Sequence, residues 1–312
     1  MIRYPSLLLA AALGATALPA RAEVPRVVTD IPAIGSLVQQ VMGDLGAPEV
    51  LLEAGGDPHH YQLRPSQARS LQDAELLIWV GPALTPWLER GASALPKGSR
   101  SLTLLDRPET HRRDYDGGNG HDHSGAHDHA GDGHDHPHSG TDPHAWLDPA
   151  NGQAWLQAIA AALSERDPDH AAAYAANAEK AAAEIAALDG ELKAGLGPAQ
   201  GKRFVVFHDA YGYFTGHYGL EPAIPVSLGD ASTPSAARLR AIREEIAEQG
   251  AVCAFPEANH DPKLIAAVTE GSPVRQGAPL DPEGRGSQSG AALYGVILRG
   301  MAQTLTDCLG QG

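Results

Sequence analysis

The sequence has few basic residues, few cysteines and, beyond its first 18 positions, no long apolar run. Its 23 lysine and arginine residues are outnumbered by 38 aspartate and glutamate residues, so the formal net charge is −15 at pH 7. An acidic surface repels phosphate backbones and attracts cations, which argues against nucleic acid as a partner. Because no later segment is long and apolar enough to cross a bilayer, we expect a soluble protein.

Residues 1–22 predict a secretory signal peptide. Arg3 is followed by an apolar run from Leu7 to Leu18, and Ala20-Arg21-Ala22 then forms a small-residue cleavage site. The run is too short to span a bilayer, and no cysteine follows it to serve as a lipid-anchoring site. We therefore expect export, with a mature chain that begins near Glu23 and is long enough for two domains.

Cys253 and Cys308 are the only cysteines in the sequence. In an oxidising compartment, a lone pair of cysteines in one exported chain most simply forms one disulfide bond. Two buried free thiols are the alternative.

Short apolar runs alternate with helical patterns in both halves of the chain. This alternation is typical of α/β proteins with parallel sheets flanked by helices, so we predict two such lobes. Residues 23–150 would form the first lobe, residues 151–198 a helical region, and residues 199–312 the second lobe. The strands are predicted in "RVVTDI", "EVLLEA", "AELLIWVG" and "SLTLLD", and then in "RFVVFHD", "PAIPVSL", "AVCAFPE" and "VRQGAPLD".

The alanine-rich segment that follows Asp167 predicts one long helix ending near residues 195–198. Asp167 is a candidate N-cap, Pro168 suits the first helical position, and no further proline or glycine occurs before Gly190. A helix of this kind spans about 40 Å, the size of a domain. We expect it to bridge the two lobes, and an ordinary surface helix of the second lobe is the alternative.

The segment "HDHSGAHDHAGDGHDHPHSG" at residues 121–140, here called the His/Asp tract, has seven histidines, four aspartates and no residue that would anchor a hydrophobic core. Imidazole and carboxylate groups bind zinc and neighbouring metals, so this composition predicts auxiliary metal binding. A solvated linker is the alternative, because the tract has no apolar surface to bury. The tract histidines are His121, His123, His127, His129, His134, His136 and His138.

Three further histidines lie at or after the ends of predicted strands: His59 in "GGDPHHYQLRPS", His144 in "TDPHAWLDP" and His208 in "FVVFHDAYGYF". In α/β sheets, ligands bind outside the carboxyl ends of the strands, so loops from two lobes can converge on one cleft. Two of the three histidines follow a proline, which stiffens the backbone. Their placement predicts a shared metal site, and three separate structural histidines are the alternative.

The segments "GGDPHHYQLRPSQARSLQDAELLIWVG", "DPHAWLDP" and "FVVFHDAYGYF" resemble, in this order, segments of the zinc-binding receptors of bacterial ABC importers. These receptors, of the ZnuA type, belong to a wider cluster of metal-binding solute receptors. The likeness extends from about Val27 to the C-terminus. It implies that His59, His144 and His208 are the zinc ligands, because the family pattern His-x-Tyr selects the first histidine of "HHY".

The same resemblance implies a His/Asp-rich loop between the first two ligands, at residues 111–140 here, and a disulfide bond between Cys253 and Cys308. His60 is not expected to share the metal, because neighbouring side chains on an extended segment point apart. Glu257, which follows a strand of the second lobe, is not assigned to the site.

The third and fourth ligand positions bear on the choice of metal. Manganese and iron receptors of the cluster tend to carry a carboxylate where His208 stands, and three imidazoles favour zinc. Asp281 in "PLDPEG" stands where the wider cluster has an aspartate ligand, whereas zinc members often use water. An aspartate before a proline is also an ordinary turn former, so the fourth ligand is left open between Asp281 and water.

We therefore predict a monomeric periplasmic receptor that captures Zn²⁺ between two lobes and hands it to a membrane ABC permease. A manganese or iron receptor and a periplasmic zinc buffer without a permease are the alternatives. Three histidines with an open fourth position also occur in catalytic zinc sites. We do not predict an enzyme, because no H-E-x-x-H or G-x-S-x-G element is present and the three histidines are far apart in the sequence.

Overall fold

Two separate parallel sheets form the framework of the chain. The computed structural model describes residues 24–53, 55–115, 140–258, 260–286 and 289–311. The signal peptide predicted at residues 1–22 and the seven tract histidines lie outside the described residues. Both therefore stay predictions from the sequence.

The first sheet has the strand order β2-β1-β3-β4, and all neighbouring strands are parallel. Its central strands are buried along their whole length, as expected for a parallel sheet that is covered on both faces. Each of the three flanking helices begins with a proline. Proline is favourable there because an N–H group at the first helical position would make no hydrogen bond within the helix. The elements are β1 (Val27–Thr29), α1 (Pro32–Met42), β2 (Glu49–Val50), α2 (Pro65–Asp73), β3 (Leu76–Trp79), α3 (Pro86–Ser93) and β4 (Arg100–Thr103).

Two consecutive helices lead from the first sheet to the second: α4 (Pro149–Arg166) and α5 (Ala171–Gly195), joined by a short 3₁₀ helix at Pro168–His170. Helix α5 is the long helix between the lobes that the sequence predicts. Its buried residues recur at intervals of three and four, and this face packs against α1 and α4. They are Tyr174, Ala178, Ala181, Ile185, Leu188 and Leu192.

The second sheet has the order β6-β5-β7-β8, again with all neighbours parallel. The arrangement of strands along the chain thus repeats that of the first sheet, and the prediction of two α/β lobes is confirmed. Helix α6 was not predicted, because its two glycines weaken the helical pattern. The elements are β5 (Phe204–His208), α6 (Gly212–Tyr218), β6 (Ile224–Ser227), α7 (Ala236–Gln249), β7 (Cys253–Phe255), α8 (Lys263–Thr269), β8 (Arg275–Gln276) and α9 (Leu293–Leu309).

One continuous apolar core connects the two lobes. It includes residues of α1 and β3 in the first sheet region, α4 and α5 between the lobes, and β5 in the second sheet. Helix α9 lies in the range predicted for the second lobe, yet it packs against α1 and α5. A shared core of this kind restricts rigid-body motion, so we expect only modest closure of the cleft. None of the described helices combines the length and apolar character needed to cross a membrane.

Cys253 of β7 and Cys308 of α9 form the disulfide bond that the sequence predicts, with their Cα atoms 6.2 Å apart. The bond covalently ties the second sheet to the helix that packs on α1 and α5. Cys253 pairs with Phe204, at the opposite end of β5 from His208.

Reduction of this disulfide is expected to lower the free energy of unfolding by about 2–4 kcal/mol while leaving tight zinc binding in place. The loss arises because the segment between the two cysteines, which are 55 positions apart in the sequence, gains conformational freedom in the unfolded state when the bond is open. Denaturant unfolding of the oxidised and reduced protein would measure the difference. Two titratable thiols in the native exported protein would contradict the disulfide itself.

His217 of α6 connects its own helix to α4 and α5. Its ring nitrogens lie 2.9 Å from Asp148, the N-cap of α4, and 2.8 Å from Asp189 of α5. A neutral imidazole has only one N–H, so donation to both carboxylates requires the protonated ring. The hydrogen bond to Asp148, together with the one to Asp189, outweighs partial burial and raises the pKa of His217.

Replacement of His217 with Gln is therefore expected to destabilise the fold at about pH 6 and to have a smaller effect at about pH 9. A raised pKa in the folded state contributes stability that is fully present below the unfolded value of about 6.5 and is lost as the pH rises through the folded value. Comparing the free energies of unfolding of variant and parent at both pH values isolates this histidine from other titrating groups, including His111, which also contacts Asp148. An equal destabilisation at both pH values would rule out the ion-pair explanation.

Candidate metal centre

His59, His144 and His208 come together in the structure, as the sequence predicts. His59 lies in the loop between β2 and α2, His144 immediately precedes a 3₁₀ helix at Ala145–Leu147, and His208 is the last residue of β5. One ring nitrogen from each histidine lies within 4.8 Å of the others. Within the described residues, this is the one group of three or more side chains with the geometry to hold a metal ion.

The three rings face one another in a buried position. The Nε2 atoms of His144 and His208 are 3.3 Å apart, close to the separation of about 3.3 Å between two nitrogens that bind one tetrahedral zinc. The Nε2 atom of His59 is buried and has no hydrogen-bond partner within the described residues. An unpartnered buried nitrogen is costly unless a ligand satisfies it, and the centroid of the His59 ring lies 5.4 Å from that of His144 and 6.0 Å from that of His208.

The backbone around two of the histidines has the same local structure. His59 and His144 each end an Asp-Pro-His sequence, and the backbone N–H of each donates a hydrogen bond to the carboxylate of the aspartate two residues earlier. Asp57 Oδ1 is 2.9 Å from the His59 nitrogen, and Asp142 Oδ1 is 3.0 Å from that of His144. Such Asx turns, with the intervening proline, hold a short loop in one conformation.

Carboxylates also fix two of the rings. Asp142 Oδ1 lies 2.8 Å from His144 Nδ1, and both carboxylate oxygens of Glu257 lie 2.8 Å from His208 Nδ1. With Nδ1 as the donor to a carboxylate, Nε2 keeps its lone pair directed at the shared position. A carboxylate that holds a metal-binding histidine in this way sets its tautomer and strengthens it as a ligand.

The charge states of the rings differ. Burial, together with the neighbouring imidazoles, lowers the pKa of His59 and of His144, so both are neutral at physiological pH. Burial acts in the same direction on His208, but the Glu257 carboxylate outweighs it and raises the pKa of His208 to about 9. His208 in turn lowers the pKa of Glu257, against the effect of burial. A cation at this site would displace the Nε2 proton of His208.

Glu257 and Asp142 are functional residues that the sequence pattern alone does not assign to the site. Glu257 is buried, pairs with His208 across 49 positions of sequence and also accepts a hydrogen bond from Tyr211. No local pattern marks that pairing, because it depends on β5 and β7 lying side by side in the sheet. Asp142, by contrast, has a recognisable signal in the repeated Asp-Pro-His sequence.

Two further residues near the site, His60 and Asp281, have different surroundings in the structure. His60 is exposed, and its ring centroid lies 6.5 Å from that of His59, in line with the expectation that it does not share the metal. Asp281 uses both carboxylate oxygens as acceptors for the backbone N–H groups of Arg285 and Gly286, as a turn former does. Its role as fourth ligand stays a prediction, with water as the alternative.

A cavity of about 160 Å³ opens beside His59. Its walls come from both lobes, with Ala83 on one side and Asp230 on the other. Tyr115 and Gly140, which flank residues 116–139 in the sequence, also line it. The Tyr115 N–H donates to the Gly140 carbonyl at 3.1 Å, so both residues are held together at the wall of the cavity.

The chain is similar to known proteins over almost its whole length. Residues 27–308 match the family described as "Zinc-uptake complex component A periplasmic", ZnuA. The chain is 74% identical over 327 aligned positions to the "High-affinity zinc uptake system protein ZnuA" of Paracoccus denitrificans (strain Pd 1222), with 99% of each chain covered. These names are those of uptake proteins and not of enzymes, which confirms that prediction.

Solved structures share the fold. A crystal structure of ZnuA superimposes with a TM-score of 0.73 and 25% sequence identity, over 91% of this chain and 99% of that chain. A Mn-bound periplasmic metal binding protein from candidatus liberibacter asiaticus gives a TM-score of 0.71 at 21% identity, over 91% of this chain and 99% of that one. At that identity the likeness concerns the fold alone.

Proposed function

Since the chain belongs to the ZnuA family of periplasmic zinc-uptake components, we propose that it captures Zn²⁺ with His59, His144 and His208 and delivers the ion to the permease of an ABC importer. The relative from Paracoccus carries the name of a high-affinity zinc uptake protein. Residues 1–22 would direct export, with cleavage near Glu23, and the mature chain would act as a monomer.

The observation that carries this proposal is the convergence of three buried imidazole nitrogens on one position. Neutral imidazole suits zinc, whereas manganese is better served by carboxylate, carbonyl and water oxygens. With three protein ligands, a tetrahedral ion has one position left. Water would occupy it while Asp281 remains bonded to the backbone of its own turn.

Delivery is tested in cells that lack their own zinc-binding component. Expression of this protein should restore growth in zinc-limited medium when an ABC zinc permease is present and not when the permease gene is deleted. His208→Ala, expressed to the same level, is the control for ion binding. Rescue without any permease would favour a periplasmic zinc buffer, and absence of rescue with the permease would contradict delivery.

The His/Asp tract is proposed as an auxiliary collector that supplies the buried site. Its support comes from the residues that flank it in the sequence, because Tyr115 and Gly140 line the cavity beside His59. A chain tethered there raises the local zinc concentration near the site. Each ion bound by a glycine-rich tract must also offset the entropy of ordering it, so its individual sites are expected to be weak.

Replacing residues 116–139 with a Gly-Ser turn of about four residues is expected to lower the number of zinc ions bound per chain and leave one tight site almost unchanged. Calorimetric titration at low and high zinc concentration would count both classes. A full-length variant with the seven tract histidines changed to Asn is the matched control, because it keeps the length of the loop. Loss of the tight site in a folded variant would mean that the tract provides primary ligands.

A further inference from the structure

The segment from Leu280 to Gly286 contains no histidine, yet it contacts the segments of His59 and His144 and the segment of Glu257, which holds the ring of His208. Its first contact is with the segment that follows β7. The backbone N–H of Leu280 donates to the Pro256 carbonyl at 2.9 Å, and the Leu280 carbonyl accepts from Ala258 at 2.8 Å. These two bonds lie on either side of Glu257, whose carboxylate fixes the His208 ring.

The second contact reaches the segment of His144. The Trp146 indole N–H, two residues after that histidine, donates to the Pro282 carbonyl at 2.7 Å. Both groups are buried. The segment that carries His144 is therefore joined to the segment from Leu280 to Gly286 by a short hydrogen bond.

The third contact crosses from the second lobe to the loop that carries His59. Arg285 Nη1 donates to the Gly56 carbonyl at 2.6 Å, while Nη2 lies 3.4 Å from the Ala258 carbonyl and 2.9 Å from His260 Nε2. The guanidinium also contacts the Glu283 carboxylate at 2.6 Å, and both side chains are almost wholly buried. Arg285 thus connects the His59 loop of one lobe to two backbone segments of the other.

His59 depends on its backbone more than the other two ligands do. In the described part of the chain, the buried Nε2 atom of His59 has no hydrogen-bond partner, whereas carboxylates hold the rings of His144 and His208. What holds the His59 loop is the Asp57 turn, the Trp87 N–H bond to the Pro58 carbonyl at 2.7 Å, and the Arg285 bond to Gly56. Of these three, only the Arg285 bond comes from the second lobe.

From these contacts we infer that Arg285 is a positioning residue. Its hydrogen bond to Gly56 holds the His59 loop against the second lobe and thereby slows the release of the bound cation. The inference rests on the proposed function, since it concerns the same site. Opening the cleft on the His59 side breaks the charged hydrogen bond to Gly56. Release of the ion is then limited by how often that bond opens, while His144 and His208 stay in place.

The test must separate the effect of the Arg285–Gly56 hydrogen bond on zinc release from the cost of leaving Glu283 buried without a counter-ion. The double variant Glu283→Gln/Arg285→Gln removes both charges and the bond to Gly56. Glu283→Gln alone is its matched control, because Arg285 and its bond remain. A second control is Arg166→Gln, since Arg166 also joins a glycine carbonyl, that of Gly98, and a glutamate, Glu75, far from the site.

Zinc-loaded full-length protein of each variant is mixed with an excess of chelator, and the rate of zinc loss is followed. The double variant should release zinc about tenfold faster than Glu283→Gln, the ratio expected for one charged hydrogen bond. Arg166→Gln should release it at the parent rate. Cobalt bound in place of zinc should show the same absorption intensity in the double variant and the parent, because the three imidazoles still bind.

If the double variant releases zinc within about twofold of the rate of Glu283→Gln, the proposed role of Arg285 in slowing release is wrong. Should the double variant not fold, as judged by circular dichroism, Arg285→Lys provides the second measurement. An ammonium group cannot bridge the carbonyls of Gly56 and Ala258 as a guanidinium does, so its rate should exceed that of the parent. If Arg285→Lys releases zinc at the rate of the parent protein, the proposed role of Arg285 is likewise wrong. If the parent protein itself binds no zinc tightly, the proposed function fails instead.

Discussion

Replacing His144 with Ala is expected to abolish the tight zinc site, with a loss of affinity greater than about 100-fold. Removing a group that only supports a metal ligand typically costs about 10–100-fold, and His144 would be a ligand itself. It is fully buried, and its Nε2 lies 3.3 Å from that of His208. Without it, the ion retains two protein ligands and an opening that water fills poorly in a buried site.

The same result is expected for His59→Ala and His208→Ala, and competition titration against a chelator of known affinity would measure all three. His60→Ala is the matched control, because it removes an imidazole of the same type from the adjacent exposed position. Its affinity should remain within about twofold of the parent value. Retention of the tight site in any one of the three ligand variants would remove that histidine from the site.

Replacing Glu257 with Gln is expected to weaken zinc binding by about 10–100-fold without removing a ligand. The amide preserves the shape of the side chain and can still accept a bond from His208 Nδ1, but it no longer carries the charge that strengthens the imidazole. The change also weakens the bond from the Tyr211 hydroxyl, which helps to hold the carboxylate. His208 should then bind zinc as an ordinary buried histidine.

Zinc affinity of Glu257→Gln, measured by the same competition, tests this prediction. Glu191→Gln is a suitable control, since Glu191 is an exposed residue that pairs with Arg299 at the surface. Thermal unfolding of the metal-free variant should show whether the fold is preserved. An affinity equal to that of the parent would mean that Glu257 orients His208 without contributing to the strength of the ligand.

The local pattern of the sequence was sufficient for the architecture, while the resemblance to zinc receptors selected the three candidate ligands. Apolar runs such as "LLIW" alternate with helical segments because strands of a parallel sheet are buried on both faces. A histidine at the end of such a run, as at His208, is placed at the carboxyl edge by the strand itself. The alanine-rich pattern likewise predicted helix α5, since propensity acts over neighbouring residues.

Only the tertiary structure determined how these ligands are supported. Glu257 meets His208 because β7 pairs with β5, and Arg285 meets Gly56 because two lobes far apart in the sequence share one cleft. The packing of α9 on α1 and α5 has the same origin, since its apolar face can be buried equally well by any complementary surface. Residue type and spacing determine which groups are able to bind a metal, whereas the carboxylate that orients each ring and the bond that closes the cleft depend on contacts between distant segments.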